Sequence, residues 1–339
     1  MDSARDIPAS LTRHLEDIDR ALRQAAGDLE SELDAAVRYT FGWEDSEGRP
    51  AQPGGKRIRP ALCLLATESC GAPFDVALPG AVAIEFVHNF SLVHDDIQDH
   101  DYERHGRPTL WARLGEAQAI NTGDFLFTRA SKALTQAGGV DAERRIRALG
   151  ILSDAVAEMI RGQWMDIAFE TAASVSLEEY TAMVSGKTGA LLGASLEIGA
   201  ILAGASEETS AGLARWGRAV GLAFQAHDDL LGVWGQPALT GKSVTSDIAR
   251  KKRSLPIIIA MSDERAAEAV QEEYAPGKAT PNVELVLDAL SACQARERTE
   301  EIARQHGAVA SELLEAIDID PARREELSAV ADYVISRER

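Results

Sequence analysis

The chain of 339 residues carries 54 Asp and Glu against 35 Lys and Arg, a net charge of −19. That balance argues against a general nucleic-acid binder, whose affinity rests on neutralising phosphates with lysine and arginine. Hydrophobic residues make up 45% of the chain, so a sizeable core can form and wholesale disorder is excluded.

Helical periodicity dominates from the start, and alternating, strand-like runs are scarce. The opening MDSARDIPASL lacks a basic segment followed by an apolar one, so no signal peptide is expected. Helices are predicted at about residues 6–40, 58–70, 76–100, 116–137, 142–170, 177–205, 207–234, 254–273, 283–306 and 321–337. Gly and Pro mark the breaks in GRPAQPGG (48–55), GAP (71–73) and APGK (275–278). The stretch Gly189 to Ala205 is the most apolar, but it is short for a bilayer span and contains Glu197. It reads as a buried helix whose small residues allow close packing. Cys63, Cys70 and Cys293 show neither metal-ligand spacing nor a disulfide framework, which suits a reducing cytosol. The expectation is a cytoplasmic all-α protein, a single-domain helical bundle spanning 1–339. Residues 1–53 would form its N-terminal helix and loop, with no integral membrane segment.

Two stretches break the apolar pattern. Asp95, Asp96, Asp99 and Asp101 fall within seven residues at the end of an apolar helix, and Asp228-Asp229 repeats the pair far along the chain. Like charges on one helix repel. Residues i and i+4 lie on one face about 6 Å apart along the axis, so Asp95 and Asp99 project together. Carboxylates suit Mg²⁺, which takes one or two of them and completes its shell with water and phosphate oxygens. Two such helices facing each other could hold Mg²⁺ with a diphosphate between them. The bland reading is a solvated acidic face, but both pairs sit on apolar helices followed by basic segments. Cations for a diphosphate are available in Gly54-Gly55-Lys56-Arg57-Ile58-Arg59-Pro60, a glycine-led helix start. Lys187-Thr188, flanked by glycines, interrupts a helix that otherwise reads as buried, where a lysine needs a charged partner.

Taken together, GGKRIRP (54–60), HNFSLVHDDIQD (88–99), RHGRPT (104–109), GQWMD (162–166), GKTG (186–189), FQAHDD (224–229) and GKSVTSD (241–247) with Lys252 resemble the trans-polyprenyl diphosphate synthases. These are the head-to-tail isoprenyl chain elongators. The resemblance implies an all-α fold around a central cavity, a homodimer, and three Mg²⁺ per active site. The implied substrates are isopentenyl diphosphate and an allylic diphosphate of the dimethylallyl, geranyl or farnesyl type. Carried over by position, Asp95, Asp96, Asp99, Asp228 and Asp229 would bind Mg²⁺ and the allylic diphosphate. Arg104, Lys187 and Lys252 would contact that diphosphate, with Lys242 beside them. Lys56, Arg59, His88 and the residue at 105 would hold the isopentenyl diphosphate. Thr188 and Gln225 would present oxygens near the developing cation.

Two positions depart from the family pattern. Gly232 stands where the second motif usually has its third aspartate, and His105 where the family usually has an arginine. Chain length in such a cavity depends on Phe90 and Ser91, one turn before Asp95. An aromatic at the first position only resembles geranylgeranyl diphosphate synthases and points to a twenty-carbon product. A farnesyl or longer-chain synthase, a terpene cyclase on the same fold, and a non-catalytic subunit of a heteromeric synthase are the competing readings.

Overall fold

The N-terminal segment, expected as one helix over about 6–40, is three: α1 (Ala9–Thr12), α2 (Leu15–Ala26) and α3 (Glu32–Thr40). The computed structural model describes residues 7–27, 31–51, 55–172, 174–235, 245–275, 277–278 and 280–336. Gly27 ends α2 at φ 84°, in the left-handed half of backbone space that glycine enters without steric cost. The Ser31 hydroxyl starts α3 by accepting the Asp34 N–H.

After α4 (Ile58–Ser69) and a 3₁₀ turn (Phe74–Ala77) comes α5 (Leu78–Gln98). A hairpin of two short strands, β1 (Glu103–Arg104) and β2 (Arg107–Pro108), follows it. His105 and Gly106 form its turn, both with positive φ (52° and 72°), the backbone that two-residue hairpins favour. Then come α6 (Leu110–Leu114), α7 (Glu116–Thr135), α8 (Ala142–Thr171) and α9 (Leu177–Val184). The helix expected over about 177–205 is interrupted by a π-turn at Ser185–Gly189 before α10 (Ala190–Ala203). α11 (Glu207–Trp234) is followed by α12 (Ser246–Ala249), α13 (Leu255–Met261), α14 (Ala267–Glu273), α15 (Val283–Ala292), α16 (Ala295–Glu315) and α17 (Pro321–Ser336).

Two further expected helices are each split. The 254–273 segment breaks where Asp263 accepts the backbone N–H of Arg265. The 283–306 segment breaks at Gln294, which adopts a left-handed φ of 55° without being glycine, and α16 then runs on through Gly307 to Glu315.

α10 explains the arrangement. Its only ionisable side chain is Glu197 and it is buried almost all round, so it needs neighbours on every side. α4, α5, α8 and α11 pack around it, while α7 packs on α5 and α16 on α11. A second apolar cluster, with Ile257, Ile258, Val286 and Leu290 at its centre, lies under α9 and the C-terminal part of α11. The stretch from Phe74 to Gln98 is long and apolar enough to cross a membrane by composition alone, but 67% of its apolar window is buried inside the fold. It is the wall on which the first aspartates stand.

The packing around α10 reaches backbone contact. A Cβ added to Gly199 would lie 2.1 Å from the Cys63 carbonyl oxygen of α4. Gly199→Ala should therefore cost about 1–3 kcal/mol by overpacking. Gly150→Ala, on the exposed side of α8 with nothing within 4 Å, should gain about 0.5–1 kcal/mol by helix propensity. Thermal unfolding of the two variants should show midpoint shifts of opposite sign; a Gly199→Ala midpoint at or above wild type would contradict the tight α4–α10 approach.

Candidate active site

Apolar along most of its length, α5 is anchored in the core, and only its last turn emerges with carboxylates. Asp95 is half-buried, Asp96 is buried and Asp99 caps the helix at its exposed end. Removing carboxylates from water favours their neutral form. Burial pushes the Asp95 carboxyl up to about 6, against the pull of Lys187 and with a further push from Asp99. Asp96 and Asp99 are raised for the same first reason. Arg104, carried on β1, donates from Nε to Asp96 Oδ1 at 2.6 Å, so the hairpin returns one cation to the aspartate row.

Lys187 occupies the π-turn, a rare helix form that recurs at functional sites. Glycines explain how it gets there. A Cβ on Gly162 of α8 would sit 2.3 Å from the Lys187 backbone nitrogen, and one on Gly186 would sit 2.7 Å from the Glu158 carbonyl oxygen. The GQWMD and GKTG segments thus meet backbone to backbone. Asp166, one turn beyond Gly162, pairs with the Lys187 ammonium. Asp166, the last residue of GQWMD, was given no role by reasoning from sequence, although a half-buried lysine needs a charged partner.

On α11 the two neighbouring aspartates diverge. Asp229 is 1% exposed and fully engaged. Its Oδ2 accepts the Tyr180 hydroxyl and the Leu255 N–H, each at 2.7 Å. Its Oδ1 accepts Gln225 Nε2 at 2.9 Å and lies 3.6 Å from Lys252 Nζ. Asp228 is only half-buried, and both aspartates line a recess together with Asp166, Lys187, Thr188, Gln225 and Lys252. Thr188 donates its hydroxyl to Gln225 Oε1 at 3.1 Å, which joins the π-turn to α11.

A second cavity of about 250 Å³ runs between α5 and α8, lined by Phe90, Ser91, His94, Asp95, Met159, Ile160, Trp164 and Ile167 among others. Lys187 lines this cavity too, so one ammonium stands where the charged recess meets the apolar one. The Phe90 ring lies 5.5 Å from Phe127 of α7 and 4.9 Å from His94. Gly123 of α7 makes room for that imidazole, since a Cβ there would lie 2.2 Å from His94 Nε2.

The remaining candidates divide. His88 and Arg59 meet, with Nε2 3.4 Å from Nη1. Burial, then Arg59 and other arginines, keep the His88 pKa well below its usual value, so the imidazole is neutral. Lys56 is exposed and donates to the Tyr333 hydroxyl at 3.1 Å. Arg57, from the same basic turn, points inward to a buried ion pair with Glu85 at 2.5 Å. His105 is exposed at the hairpin tip and lines neither cavity. Lys242 lies outside the described residues.

Among the described residues no three Asp, Glu, His or Cys side chains converge into a closed metal cage. The oxygen-only donors Asp95, Asp99 and Asp228 nevertheless fit a hard cation that brings its own water and phosphate ligands. Asp95, whose pKa burial raises, is a carboxylate that a cation would relieve.

The Asp95 shift has a stability consequence. The folded state binds this proton more tightly than the unfolded chain, so the contribution to folding is full below about pH 4 and is lost as pH rises through about 6. Asp95→Asn, which is neutral throughout, should therefore stabilise the metal-free protein by roughly 1–3 kcal/mol at pH 8 and by little at pH 4. Unfolding curves at the two pH values would check this, and an equal effect at both would refute it.

The comparisons agree with this geometry. Residues 48–293 match the family model described as "Polyprenyl synthetase". The (2E,6E)-farnesyl diphosphate synthase of Mycobacterium tuberculosis is 39% identical over 324 residues, covering 94% of this chain and 89% of that one. The geranylgeranyl diphosphate synthase of the same organism is 38% identical over 282 residues, covering 81% and 80%. The crystal structure of a polyprenyl synthetase from Streptomyces coelicolor A3(2) superposes with a TM-score of 0.91 at 41% identity, covering 97% of this chain and all of that one. Two aspartate-bearing helices, a lysine between a charged and an apolar recess, and relatives matched along nearly their whole length lead to one conclusion: the chain belongs to the polyprenyl synthetase family and is a prenyltransferase, a trans-prenyl diphosphate synthase.

Proposed function

We propose that the protein condenses isopentenyl diphosphate head-to-tail with an allylic diphosphate and releases geranylgeranyl diphosphate. The observation that carries this reading is the junction at Lys187, where a recess lined with carboxylates and cations opens beside an apolar cavity. An allylic diphosphate has the same two parts, a charged head and an apolar tail. In this reading Asp95, Asp99 and Asp228 hold magnesium, while Asp96 and Asp229 orient Arg104 and Lys252. Bound magnesium would neutralise charge on the departing diphosphate, so that the allylic C–O bond ionises.

Lys187, Lys252 and Arg104 hold oxygens of the same diphosphate. Thr188 and Gln225 present oxygens toward the carbon that becomes cationic. Arg59, His88 and Lys56 hold the isopentenyl diphosphate, whose double bond attacks that carbon. The new C–C bond forms as a proton leaves to the departed diphosphate. The apolar walls of α5 and α8 exclude water, which would otherwise trap the cation. Tail length is set by Phe90, backed by Phe127 and His94, while Ser91 leaves its side of the wall open.

Relatives of similar identity carry both farnesyl and geranylgeranyl names, so product size is the measurement that matters. Incubation with Mg²⁺, isopentenyl diphosphate and each allylic primer, followed by dephosphorylation and sizing, should give a twenty-carbon alcohol. Phe90→Ala should shift products beyond twenty carbons and Ser91→Phe toward fifteen, with the first addition slowed much less than product length changes. A fifteen-carbon end point in wild type, unchanged by both substitutions, would place the floor elsewhere. Asp228→Ala should lower kcat by about a thousandfold or more with its circular dichroism unchanged; near-normal turnover would refute its role.

The protein is also proposed to act as a homodimer. Ile120 and Phe127 of α7, with Ile146, Ile160, Trp164 and Ile167 of α8, are large apolar residues exposed on neighbouring helices, and a second copy would cover such a face.

A further inference from the structure

Gly232 leaves a gap on α11 that another element fills. It lies four residues, about one turn, beyond Asp228 on the same helix face. A Cβ built on Gly232 would lie 2.2 Å from Asp247 Oδ2 and 2.4 Å from its Cγ. The Asp247 carboxylate, carried on α12 and 6% exposed, therefore occupies the space where a side chain at 232 would begin. The same residue grips Lys252 twice. Its backbone oxygen accepts the Lys252 N–H at 2.9 Å, and its Oδ2 lies 3.8 Å from Lys252 Nζ. With Asp229 Oδ1 at 3.6 Å from that ammonium, Lys252 stands between carboxylates of two different elements at the edge of the charged recess.

We propose that Asp247 supplies, from α12, the carboxylate that α11 lacks at position 232, and that it is a positioning residue for Lys252 in holding a diphosphate with its divalent cation. The inference rests on the reading of this recess as a diphosphate site. Supporting it, burial alone would depress the Lys252 pKa, yet Asp229, then Asp247 and Asp228, outweigh burial and raise it. The ammonium is thus kept charged where an anion would need it. Gly232 is then half of a paired feature. Restoring a carboxylate on α11 while Asp247 remains would force two acidic groups into one volume.

The test is an exchange of the carboxylate between elements, read by calorimetric binding of inorganic diphosphate in the presence of Mg²⁺ and by thermal unfolding. Asp247→Ala should weaken diphosphate binding by about tenfold, or 1.4 kcal/mol. Asp247→Asn, which keeps the shape, should weaken it comparably, and it carries the test if the alanine variant folds poorly. Gly232→Asp alone should lower the unfolding midpoint. Gly232→Asp combined with Asp247→Ala should restore binding to within about threefold of wild type, whereas Gly232→Asn combined with Asp247→Ala should not. Failure of the aspartate exchange to improve on Asp247→Ala would overturn the proposal, as would equal recovery with asparagine, since space and not charge would then be at issue. Wild type that binds no diphosphate would sink the diphosphate reading instead. The unfolding data would still decide the pairing: Gly232→Asp should destabilise wild type but not the Asp247→Ala background, and equal destabilisation in both would overturn it.

Discussion

The approach of α8, α10 and α11 to backbone contact is the constraint on which the rest of the molecule depends. Side chains on Gly162, Gly193 or Gly217 would meet backbone atoms 2.3–2.9 Å away, so each contact works only because the side chain is missing. Interiors are packed too densely to absorb such additions without moving whole elements. The π-turn is pressed between α8 and α11, and its Lys187 and Thr188 inherit their positions from that pressure. Spreading these helices by even a methyl group would separate Lys187 from Asp166 and Thr188 from Gln225 together.

The same rigidity sorts carboxylates by role. Asp228 and Asp229 are neighbours in sequence, yet a helix turns about 100° between them. Both line the recess, but Asp229 is the buried one, accepting two hydrogen bonds on Oδ2 and serving Gln225 and Lys252 from Oδ1. A paired aspartate motif is therefore one half-buried carboxylate backed by one buried fastener. At the end of α5 the division is similar, with Asp96 committed to Arg104 and Asp95 left toward the cavity.

Much of this was legible in the sequence because it depends on local pattern. The 3.6-residue period located the long helices, and carboxylate rows on otherwise apolar helices advertised their own cost. The misses arise where position is set by distant contacts. Gln294 takes a left-handed conformation with no glycine to announce it, so α15 and α16 read as one helix. The helix expected to end at about 306 runs on through Gly307, where an added Cβ would meet only Ile335 at 3.7 Å. Arg57 looked like one of three cations of an anion cradle until Glu85 claimed it. Asp166, Tyr180 and Phe127 gave no local sign of their partners, each lying on a different helix from the residue it serves.

The ion pairs of the site share a property beyond their geometry. Arg104 rests on Asp96, Lys187 on Asp166, and Lys252 between Asp229 and Asp247. Each of these three cations already has a carboxylate to lean on. Binding of an anion with its metal would then be an exchange of partners, with cations turning from carboxylate to phosphate and the released carboxylates turning to metal. An exchange leaves the number of neutralised charges nearly constant, so few counterions would be displaced. In such a site affinity for a highly charged ligand would vary only gently with ionic strength, although the protein as a whole carries a large negative charge.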